Sequence, residues 1–592
     1  MEKKILDTVK KAVKELYAIE ATEKQLLLQK TLPDYEGDFT VVVFPFAKSA
    51  KKSPVEIGED LGKYLKKNMD EVADYNVIKG FLNLVFRNEV WTQFLSTNYN
   101  DENYGINQSQ EQKPVVIEFS SPNTNKPLHL GHVRNNLLGE SVARVMKAAG
   151  RNVKKVNLVN DRGIHICKSM LAWQKWGEEE TPESTGLKGD QLVGKYYVLF
   201  DQKLKEEKET LRQQDVAEDN LDEASELMKQ AREMLRKWEN RDGKVLELWK
   251  KMNNWVYEGF DETYERMGIS FDKVYHESET YLIGKQMVLE ALKRNQLEKA
   301  EDGSVWADLS EFDLDKKLLL RKDGTSVYMT QDLGTAKLRY EDFDPSNMLY
   351  VVGNEQDYHF GVLKLVLKKM NYEWADRIEH VSYGMVELPD GKMKSREGTV
   401  VDADDLMDEM YHTAKAMTEE LGKIDGLSNA EAENLVNMIS QGALKYFILK
   451  VDPKKNMLFN PEKSINFTGN TGPFIQYTHA RIKSLLRRSG KSSFDLDAYN
   501  PEDLILPEKD VIKKLAAYPA VVKEAAKEMS PAIVANYTFE LVKLYNQFYQ
   551  DVPVLKNDNQ SVIDFRLAMS VFVANVVRSS MAILGIEVPE QM

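Results

Sequence analysis

Hydrophobic positions follow two spacings along this chain, and the changes of spacing predict its elements. The N-terminal stretch MEKKILDTVKKAVKELYAI has apolar residues at helical intervals, whereas DFTVVVFPFA (38–47) and GFLNLVF (80–86) are apolar runs typical of strands. A Ser-Pro pair at 53–54 marks the start of a helix between them. We therefore predict an α+β domain over residues 1–112, which ends in the polar, Asn/Gln-rich stretch 98–114.

A second pattern begins directly after that polar stretch. VVIEFSS (115–121) is a buried type of strand, residues 133–149 have helical periodicity, and NVKKVNLVND (152–161) is another apolar strand. A strand, a helix and a strand at this spacing form a βαβ unit. The pattern predicts a Rossmann-type, doubly wound parallel sheet in an α/β domain over residues 113–403.

The rest of the chain is mainly helical in pattern. Residues 200–258 are charge-dense and have no strand signal, which predicts a helical insertion at about 170–270. Strand patterns return in SVWADL, LLLRKDG, MLYVVG and EHVSYGMV. From about 404 nearly everything is helical, so we predict a helical linker at 404–465 and an all-α helical bundle at 466–592. The fold class is thus multidomain α/β.

Composition narrows the class of protein. The 592 residues are enough for roughly three to five domains, and 42% hydrophobic with 29% charged residues is typical of a soluble globular protein. No apolar run approaches the roughly 18–20 residues of a membrane span, and the N-terminus has no signal-peptide core. A single cysteine, Cys167, excludes an intrachain disulfide framework and a Cys-rich zinc site. We expect a cytoplasmic protein without a membrane segment.

The net charge of −14 argues against a uniformly basic nucleic-acid-binding protein. It does not exclude RNA binding, because affinity depends on local basic surfaces that neutralise phosphates.

Two of the 8 histidines, His129 and His132, lie together in PNTNKPLHLGH, between the first strand of the βαβ unit and its helix. Ligands bind at the carboxyl ends of parallel strands, where helix N-termini favour phosphate. Two imidazoles there can donate to phosphate oxygens, and Gly131 permits close approach of a base or ribose. The alternative is a capped loop with two exposed histidines.

A second cationic stretch, LPDGKMKSREGTVV (388–401), places Lys392, Lys394 and Arg396 between two glycines. Such a loop can close over a triphosphate and stabilise departing pyrophosphate. The sequence alone is equally compatible with a solvated basic turn.

Several acids and amides are candidates for a cation pocket. Tyr328 and Asp332 are four residues apart and share a helix face, while Glu277 and Gln356 lie in YHESETY and VVGNEQDYH. Each alone would be an ordinary surface side chain. Asp161 either lines the same crevice or caps a helix. GDQLVGKY (189–196) is not a P-loop, because it lacks the final Ser or Thr and a preceding strand.

Taken together, these motifs resemble those of arginyl-tRNA synthetases, a family of class I aminoacyl-tRNA synthetases. PNTNKPLHLGH resembles the extended HIGH signature, and KMKSR partly resembles KMSKS. The resemblance implies catalytic roles for His129, His132, Lys126, Lys392 and Lys394. It implies ATP binding by His129, Gly131, His132, Met393, Lys394 and Ser395. It implies arginine binding by Glu118, Ser120, Asn123, Glu277, Tyr328, Asp332 and Gln356.

The second signature departs from its pattern. Ser395 occupies the position where KMSKS has lysine, and the resemblance implies that Lys126, just upstream of the HIGH signature, compensates. Which basic residue replaces the missing lysine stays open.

The helical C-terminal region interleaves rings with cations in FTGNTGPFIQYTHARIKSLLRR (467–488). From composition alone this is either an RNA-reading helix or an ordinary basic amphipathic helix. It resembles the start of the family's anticodon-binding domain, which implies tRNA contacts by Tyr477, Arg481, Arg487 and Arg488. The N-terminal unit resembles the arginyl-specific domain that contacts the tRNA elbow.

The implied function is an arginine–tRNA ligase that forms arginyl-adenylate from L-arginine and ATP and then charges tRNA(Arg). ATP with Mg²⁺ is a substrate, and we expect no tightly bound cofactor, no structural zinc or other resident metal, and a monomer. One alternative is a class I synthetase for another amino acid. Another is a silent paralogue that only binds RNA, which predicts loss of a signature histidine, yet both are present.

Overall fold

The computed structural model describes residues 1–32, 34–109, 111–387, 401–424 and 426–592. Lys392, Met393, Lys394 and Ser395 lie outside the described residues.

The strands and helices are numbered in chain order. The strands are β1 Leu27–Lys30, β2 Phe39–Val42, β3 Val72–Ile78, β4 Phe81–Phe86, β5 Val115–Glu118, β6 Val153–Val159, β7 Lys273–His276, β8 Glu298–Lys299, β9 Val305–Ala307, β10 Lys317–Leu320, β11 Asn347–Gly353, β12 Ile378–Tyr383, β13 Val386–Glu387 and β14 Met457–Leu458. The α-helices are α1 Glu2–Tyr17, α2 Ala47–Ala50, α3 Pro54–Asn68, α4 Asn88–Asn98, α5 Leu130–Ala148, α6 Ile164–Trp176, α7 Pro182–Thr185, α8 Gly189–Gln213, α9 Leu221–Ala224, α10 Glu226–Glu239, α11 Gly243–Met267, α12 Glu277–Lys293, α13 Tyr328–Phe343, α14 Asp357–Lys369, α15 Ala403–Glu420, α16 Asn429–Leu449, α17 Pro461–Ser464, α18 Gly472–Ser489, α19 Leu506–Ala516, α20 Tyr518–Lys527, α21 Pro531–Asp551 and α22 Gln560–Ile583.

Internal contacts divide the chain into two compact units. Unit 1 contains residues 1–104, 482–518 and 540–576, and unit 2 contains 105–481, 519–539 and 577–592. The predicted boundaries at 112, 403 and 465 follow the sequence pattern and stay predictions, because this grouping joins segments that are distant in sequence.

Unit 1 contains an antiparallel sheet with the strand order β1-β2-β4-β3. Helix α3 begins after Ser53, whose hydroxyl accepts the N–H of Glu56 at 3.3 Å while the Glu56 carboxylate accepts the N–H of Ser53 at 2.9 Å. The helix packs on β3 through its small residues, since a Cβ at Gly62 would overlap the ring of Tyr75.

The centre of unit 2 is the predicted parallel sheet, with the order β12-β11-β5-β6-β7. The chain leaves β5 toward β6 on one side, while β11 pairs with β5 on the other. The carboxyl ends of β5 and β11 are therefore a topological switch point, where α/β sheets bind ligands. Apolar side chains from the sheet and from α12–α14, among them Val116, Met348, Met287 and Leu363, form the core beneath this edge.

Most elements lie where the pattern predicts them, and the helical insertion is formed by α6 to α11. The helix of the βαβ unit begins at Leu130 and not at Val133. The prediction was late by one turn because His129 caps the helix with its ring, a role in which Ser, Thr, Asp and Asn are the usual signals. Contrary to the expectation from the sequence, helix α22 is long and apolar enough to span a membrane, although 78% of its apolar window is buried inside the protein.

Candidate active site

The turn that follows β5 has a strained backbone. Ser120 and Ser121 have φ angles of 78° and 48°, in the left-handed region that residues with a Cβ rarely adopt. Their N–H groups donate to the side-chain oxygens of Asn135 at 2.5 Å and Asn157 at 3.0 Å. These amides, from α5 and β6, hold the chain as it leaves the sheet for the histidine motif.

His129 and His132 cap the start of α5 reciprocally. The Gly131 N–H donates to Nδ1 of His129 at 3.1 Å, and the His129 N–H donates to Nδ1 of His132 at 3.2 Å. The ring centroids are 3.9 Å apart. Since each Nδ1 accepts a hydrogen bond from a backbone N–H, each neutral ring carries its own proton on Nε2. The pair therefore presents two Nε2–H donors.

Burial keeps both rings neutral. It lowers the pKa of His129 to about 4 and that of His132 well below the ordinary value, and the nearby positive charge of Lys126 adds to both effects. Burial also lowers the pKa of the half-buried Lys126 amine. At neutral pH the motif offers two uncharged donors and one ammonium group. The space beside Gly131 is taken by the His129 ring, whose Cε1 would lie 3.0 Å from a Cβ at that position.

Both described flanks of the 388–400 stretch lie beside α5. On one side, Arg134 donates to the carbonyl of Met385 at 2.7 Å. On the other, the Leu130 N–H donates to the carbonyl of Val401 at 3.2 Å, and Ala403 donates back to Leu128 at 2.9 Å. The histidine motif and the exit of the cationic stretch are thus hydrogen-bonded neighbours.

Carboxylates gather at the start of α12 and α13. Glu277 and Asp161 are buried, and Asp332 is partly exposed. The side-chain amide of Gln331 donates to Oε1 of Glu277 at 2.6 Å, and Nε2 of His359 lies 2.5 Å from Oδ2 of Asp332. Burial raises the pKa of Glu277 to about 7; the Arg162 guanidinium opposes the rise, and the charges of Asp161 and Asp332 add to it. Such a pocket favours a cationic ligand.

The helices that carry these groups approach closely through glycine. A Cβ at Gly284 of α12 would overlap the carbonyl oxygen of Thr330, and one at Gly334 of α13 would overlap that of Thr280. This backbone contact brings Glu277 within reach of Gln331 and Asp332.

Asp161 caps a helix, but a distant one. Its carboxylate accepts the N–H and the hydroxyl of Ser278, both at 2.8 Å, near the start of α12. The next helix along the chain, α6, begins after Gly163 without a side-chain cap. Asp161 therefore positions Glu277, the residue before Ser278.

Two predicted pocket residues are used within the protein. Glu118 forms a buried ion pair with Arg339 and accepts the hydroxyl of Ser121 at 3.1 Å. The Ser120 hydroxyl lies 2.7 Å from the hydroxyl of Tyr264. Their contacts support the wall of the crevice, and direct contact with arginine stays a prediction for both.

Three other predicted residues are exposed at the carboxyl edge of the sheet. Asn123 follows β5, Gln356 follows β11, and Tyr328 begins α13 with 78% of its surface exposed. Their exposure leaves them available to a ligand in the crevice.

The glycines of GDQLVGKY serve helix packing. The stretch forms the first turns of α8, where a Cβ at Gly189 would overlap the backbone of Trp255 and one at Gly194 would lie 2.9 Å from Cδ of Pro127. The helical insertion thus packs against the histidine motif.

Family models match nearly all of the chain. The model for class I tRNA synthetases (R), catalytic domain, matches residues 94–460. The arginyl tRNA synthetase N terminal domain matches 3–86, and the DALR anticodon binding domain matches 475–592. The chain belongs to the arginyl-tRNA synthetase family.

Relatives support this assignment over the full length. The arginine–tRNA ligase of Bacteroides thetaiotaomicron is 56% identical, with all of both chains covered. That of Porphyromonas gingivalis is 54% identical and covers 100% of this chain and 99% of the relative. The solved arginyl-tRNA synthetase of Thermus thermophilus has the same fold, with a TM-score of 0.80, 22% identity and complete coverage of both chains.

In this arginyl-tRNA synthetase family member, part of the predicted tRNA-contacting helix lies in each unit. In unit 2 the Lys423 ammonium lies 3.8 Å and the Arg481 guanidinium 4.8 Å from the ring centroid of Tyr477. In unit 1 the Arg488 guanidinium lies 3.5 Å from the hydroxyl of Tyr549. Arg487 is in the same last turn of α18. The tRNA contacts of Tyr477, Arg481, Arg487 and Arg488 stay predictions.

Sequence reasoning missed Gln331 and His359, although both lie beside residues that it selected. Gln331 precedes Asp332, and His359 follows Gln356 by three positions. Their closeness in sequence to Asp332 and Gln356 was the signal that could have identified them. Among the described residues no group of three or more His, Cys, Asp or Glu forms a metal site, and the predicted absence of zinc stays a prediction.

Proposed function

We propose that this chain is an arginine–tRNA ligase. It activates L-arginine with ATP to arginyl-adenylate and pyrophosphate, then transfers arginine to the 3′ end of tRNA(Arg) for protein synthesis. The observation that carries this is the acidic pocket of the buried Glu277 and the partly exposed Asp332, which shares the carboxyl edge of the sheet with the neutral histidine pair, in a chain of this family.

In the first step the arginine carboxylate attacks the α-phosphorus of ATP, and the bond from that phosphorus to the pyrophosphate breaks. His129 and His132 donate their Nε2–H groups to phosphate oxygens as charge grows there. Each neutral ring keeps one Nε2–H, so it can donate without a change in its protonation state. Magnesium accompanies ATP as part of the substrate.

In the second step a hydroxyl of the terminal ribose of the tRNA attacks the carbonyl of the mixed anhydride, and AMP leaves. No protein nucleophile is needed, since positioning and charge stabilisation supply the catalysis. Lys126, with Lys392 and Lys394 of the second signature, supplies cations to the phosphates. Gly131, Met393 and Ser395 complete the ATP site.

Glu277 and Asp332 bind the guanidinium with Tyr328. Asn123 and Gln356 hold the α-amino end, and Glu118 and Ser120 support the wall. The pocket disfavours neutral amino acids because they would leave the buried carboxylate of Glu277 without a cation. Lysine presents a single ammonium group, whereas the two carboxylates are suited to the planar fork of a guanidinium. We further propose a cytoplasmic monomer without structural zinc or a membrane anchor.

Pyrophosphate exchange with each amino acid, with and without tRNA, tests this function. We expect exchange with arginine alone, and only with tRNA(Arg) present. Exchange with another amino acid would show a synthetase of different specificity, and tRNA binding without exchange would show a silent paralogue.

His132→Ala tests the role of the histidine pair. Loss of one transition-state donor should lower the turnover number by roughly 10²–10³-fold. His412→Ala is the matched control, because His412 is exposed on α15. A normal turnover number in His132→Ala would remove that ring from the mechanism.

A further inference from the structure

Each carboxylate of the arginine pocket has one oxygen already paired with a neighbouring side chain. Oε1 of Glu277 accepts from the Gln331 amide at 2.6 Å, and Oδ2 of Asp332 lies 2.5 Å from His359 Nε2. Within the part of the chain that the structure describes, Oε2 of Glu277 and Oδ1 of Asp332 have no such partner. One oxygen of each acid is therefore left for a ligand.

The pairing with Gln331 determines more than which oxygen is occupied. A carboxylate alone can rotate about its last bond, and a hydrogen bond to one oxygen fixes the plane of both. A guanidinium is planar and binds best when the acceptor plane matches its own, whereas an ammonium has no plane to match. The orientation of Glu277 therefore matters more for arginine than for lysine.

Gln331 is suited to this task by charge and by rigidity. Its amide donates without a positive charge, so it does not replace the cationic ligand as a lysine or arginine would. Residues before and after Gln331 hold its backbone in place. Thr330 donates its hydroxyl to the carbonyl of Leu319 and contacts Gly284, and Gly334 packs on Thr280.

We propose that Gln331 is a specificity-determining positioning residue, which orients Glu277 for the planar guanidinium of the substrate. The inference rests on the proposed arginine–tRNA ligase activity.

The test is Gln331→Met, which keeps the length of the side chain and its preference for helix but removes the donor. Gln286→Met is the matched control, because the amide of Gln286 donates at 2.8 Å to Glu290, an exposed carboxylate on α12. Aminoacylation kinetics give the KM for arginine, the KM for ATP and the turnover number, and lysine as a competitive inhibitor gives its Ki.

We expect the KM for arginine to rise about 10- to 100-fold in Gln331→Met, the range for a lost hydrogen bond to a charged group. The turnover number, the KM for ATP and the Ki for lysine should stay within about threefold, since none depends on the plane of Glu277. Gln286→Met should match the wild type in every constant.

An unchanged KM for arginine overturns the inference. So does a joint rise of all three binding constants, because that would indicate a structural role. If Gln331→Met does not fold, Gln331→Leu, which also lacks the donor and favours helix, applies the same criteria. A wild type that does not charge tRNA with arginine refutes the proposed function itself, whereas a charging wild type with an unaffected variant refutes only the role of Gln331.

Discussion

At the scale of single residues, burial sets the charge of the two groups on which the proposed chemistry depends. The histidines proposed to face phosphate are kept neutral, and burial raises the pKa of Glu277, which is proposed to face a cation, to about 7. A cation entering the pocket favours the ionised carboxylate, so arginine binding should release a proton from Glu277 near neutral pH.

The direction of this linkage gives a prediction. In the folded protein Glu277 binds its proton up to about pH 7, whereas the ordinary value is 4.5. Between pH 4.5 and 7, Glu277 is ionised in the unfolded chain but largely protonated in the folded one. The free energy of unfolding therefore falls as pH rises through this range, and bound arginine offsets that fall. We expect the KM for arginine to fall about tenfold between pH 6 and pH 8, as the ionised fraction rises.

Glu277→Gln should have a higher KM for arginine and lack this pH dependence. Glu290→Gln, on the exposed face of the same helix, should keep it, so the difference between the two variants isolates the titration of Glu277 from that of the substrates. Parallel pH profiles for Glu277→Gln and Glu290→Gln would contradict a role for Glu277 in the linkage.

At the scale of elements, the decisive contact is the one between α12 and α13. Gly284 and Gly334 let the two backbones approach until carbonyl oxygens lie where side chains would otherwise be. This close approach places the carboxylates near the N-termini of both helices in one pocket. The glycines thus control the width of the site without facing it.

Gly284→Ala should therefore affect both stability and binding. Its methyl group would force the helices apart, at a cost of about 1–3 kcal/mol in the free energy of unfolding. The KM for arginine should rise, because Glu277 and Asp332 move apart. Thermal unfolding and aminoacylation kinetics measure the two effects.

Gly361→Ala is the matched control, since a Cβ at Gly361 of α14 would meet nothing within 4 Å. It should stabilise the helix by up to about 1 kcal/mol and leave kinetics unchanged. Equal effects of the two substitutions would show that the contact between α12 and α13 does not control the pocket.

At the scale of the whole molecule, the last residues of the chain complete unit 2 by pairing with side chains more than a hundred positions earlier in the sequence. The side chains of Gln476 and His479 pair with the carbonyls of Glu587 and Pro589 at 2.8 Å and 2.9 Å. The buried amine of Lys445 donates to the carbonyl of Gly585 at 2.9 Å. Residues 577–592 therefore stabilise the same unit as the catalytic sheet.

Deleting residues 586–592 should lower the free energy of unfolding of unit 2 by about 3–6 kcal/mol. The buried side chain of Ile586 is lost, and His479 and Gln476 each lose a carbonyl partner. Deleting only residues 591–592, which lie beyond these contacts, should have little effect. Equal denaturation midpoints for the two deletions would contradict this role.

The sequence by itself determined the features that are local. Helix and strand periodicities need only neighbouring residues, so the βαβ unit, the helical insertion and two of the four strands of the N-terminal sheet could be predicted. Signature motifs are short, so the class of enzyme and most candidate residues could be named as well. The start of α5 was predicted incorrectly, but the error was only one helical turn.

Only the tertiary structure decided which distant groups meet. Asp161 caps α12, more than a hundred residues away. Arg339 forms an ion pair with Glu118, and Gln331 donates a hydrogen bond to Glu277. None of these pairings has a local signal, because partners are chosen by the packing of helices on a sheet whose strand order differs from chain order. The motifs thus identified the residues of the proposed site, and the packing between the motifs determined which of these residues meet.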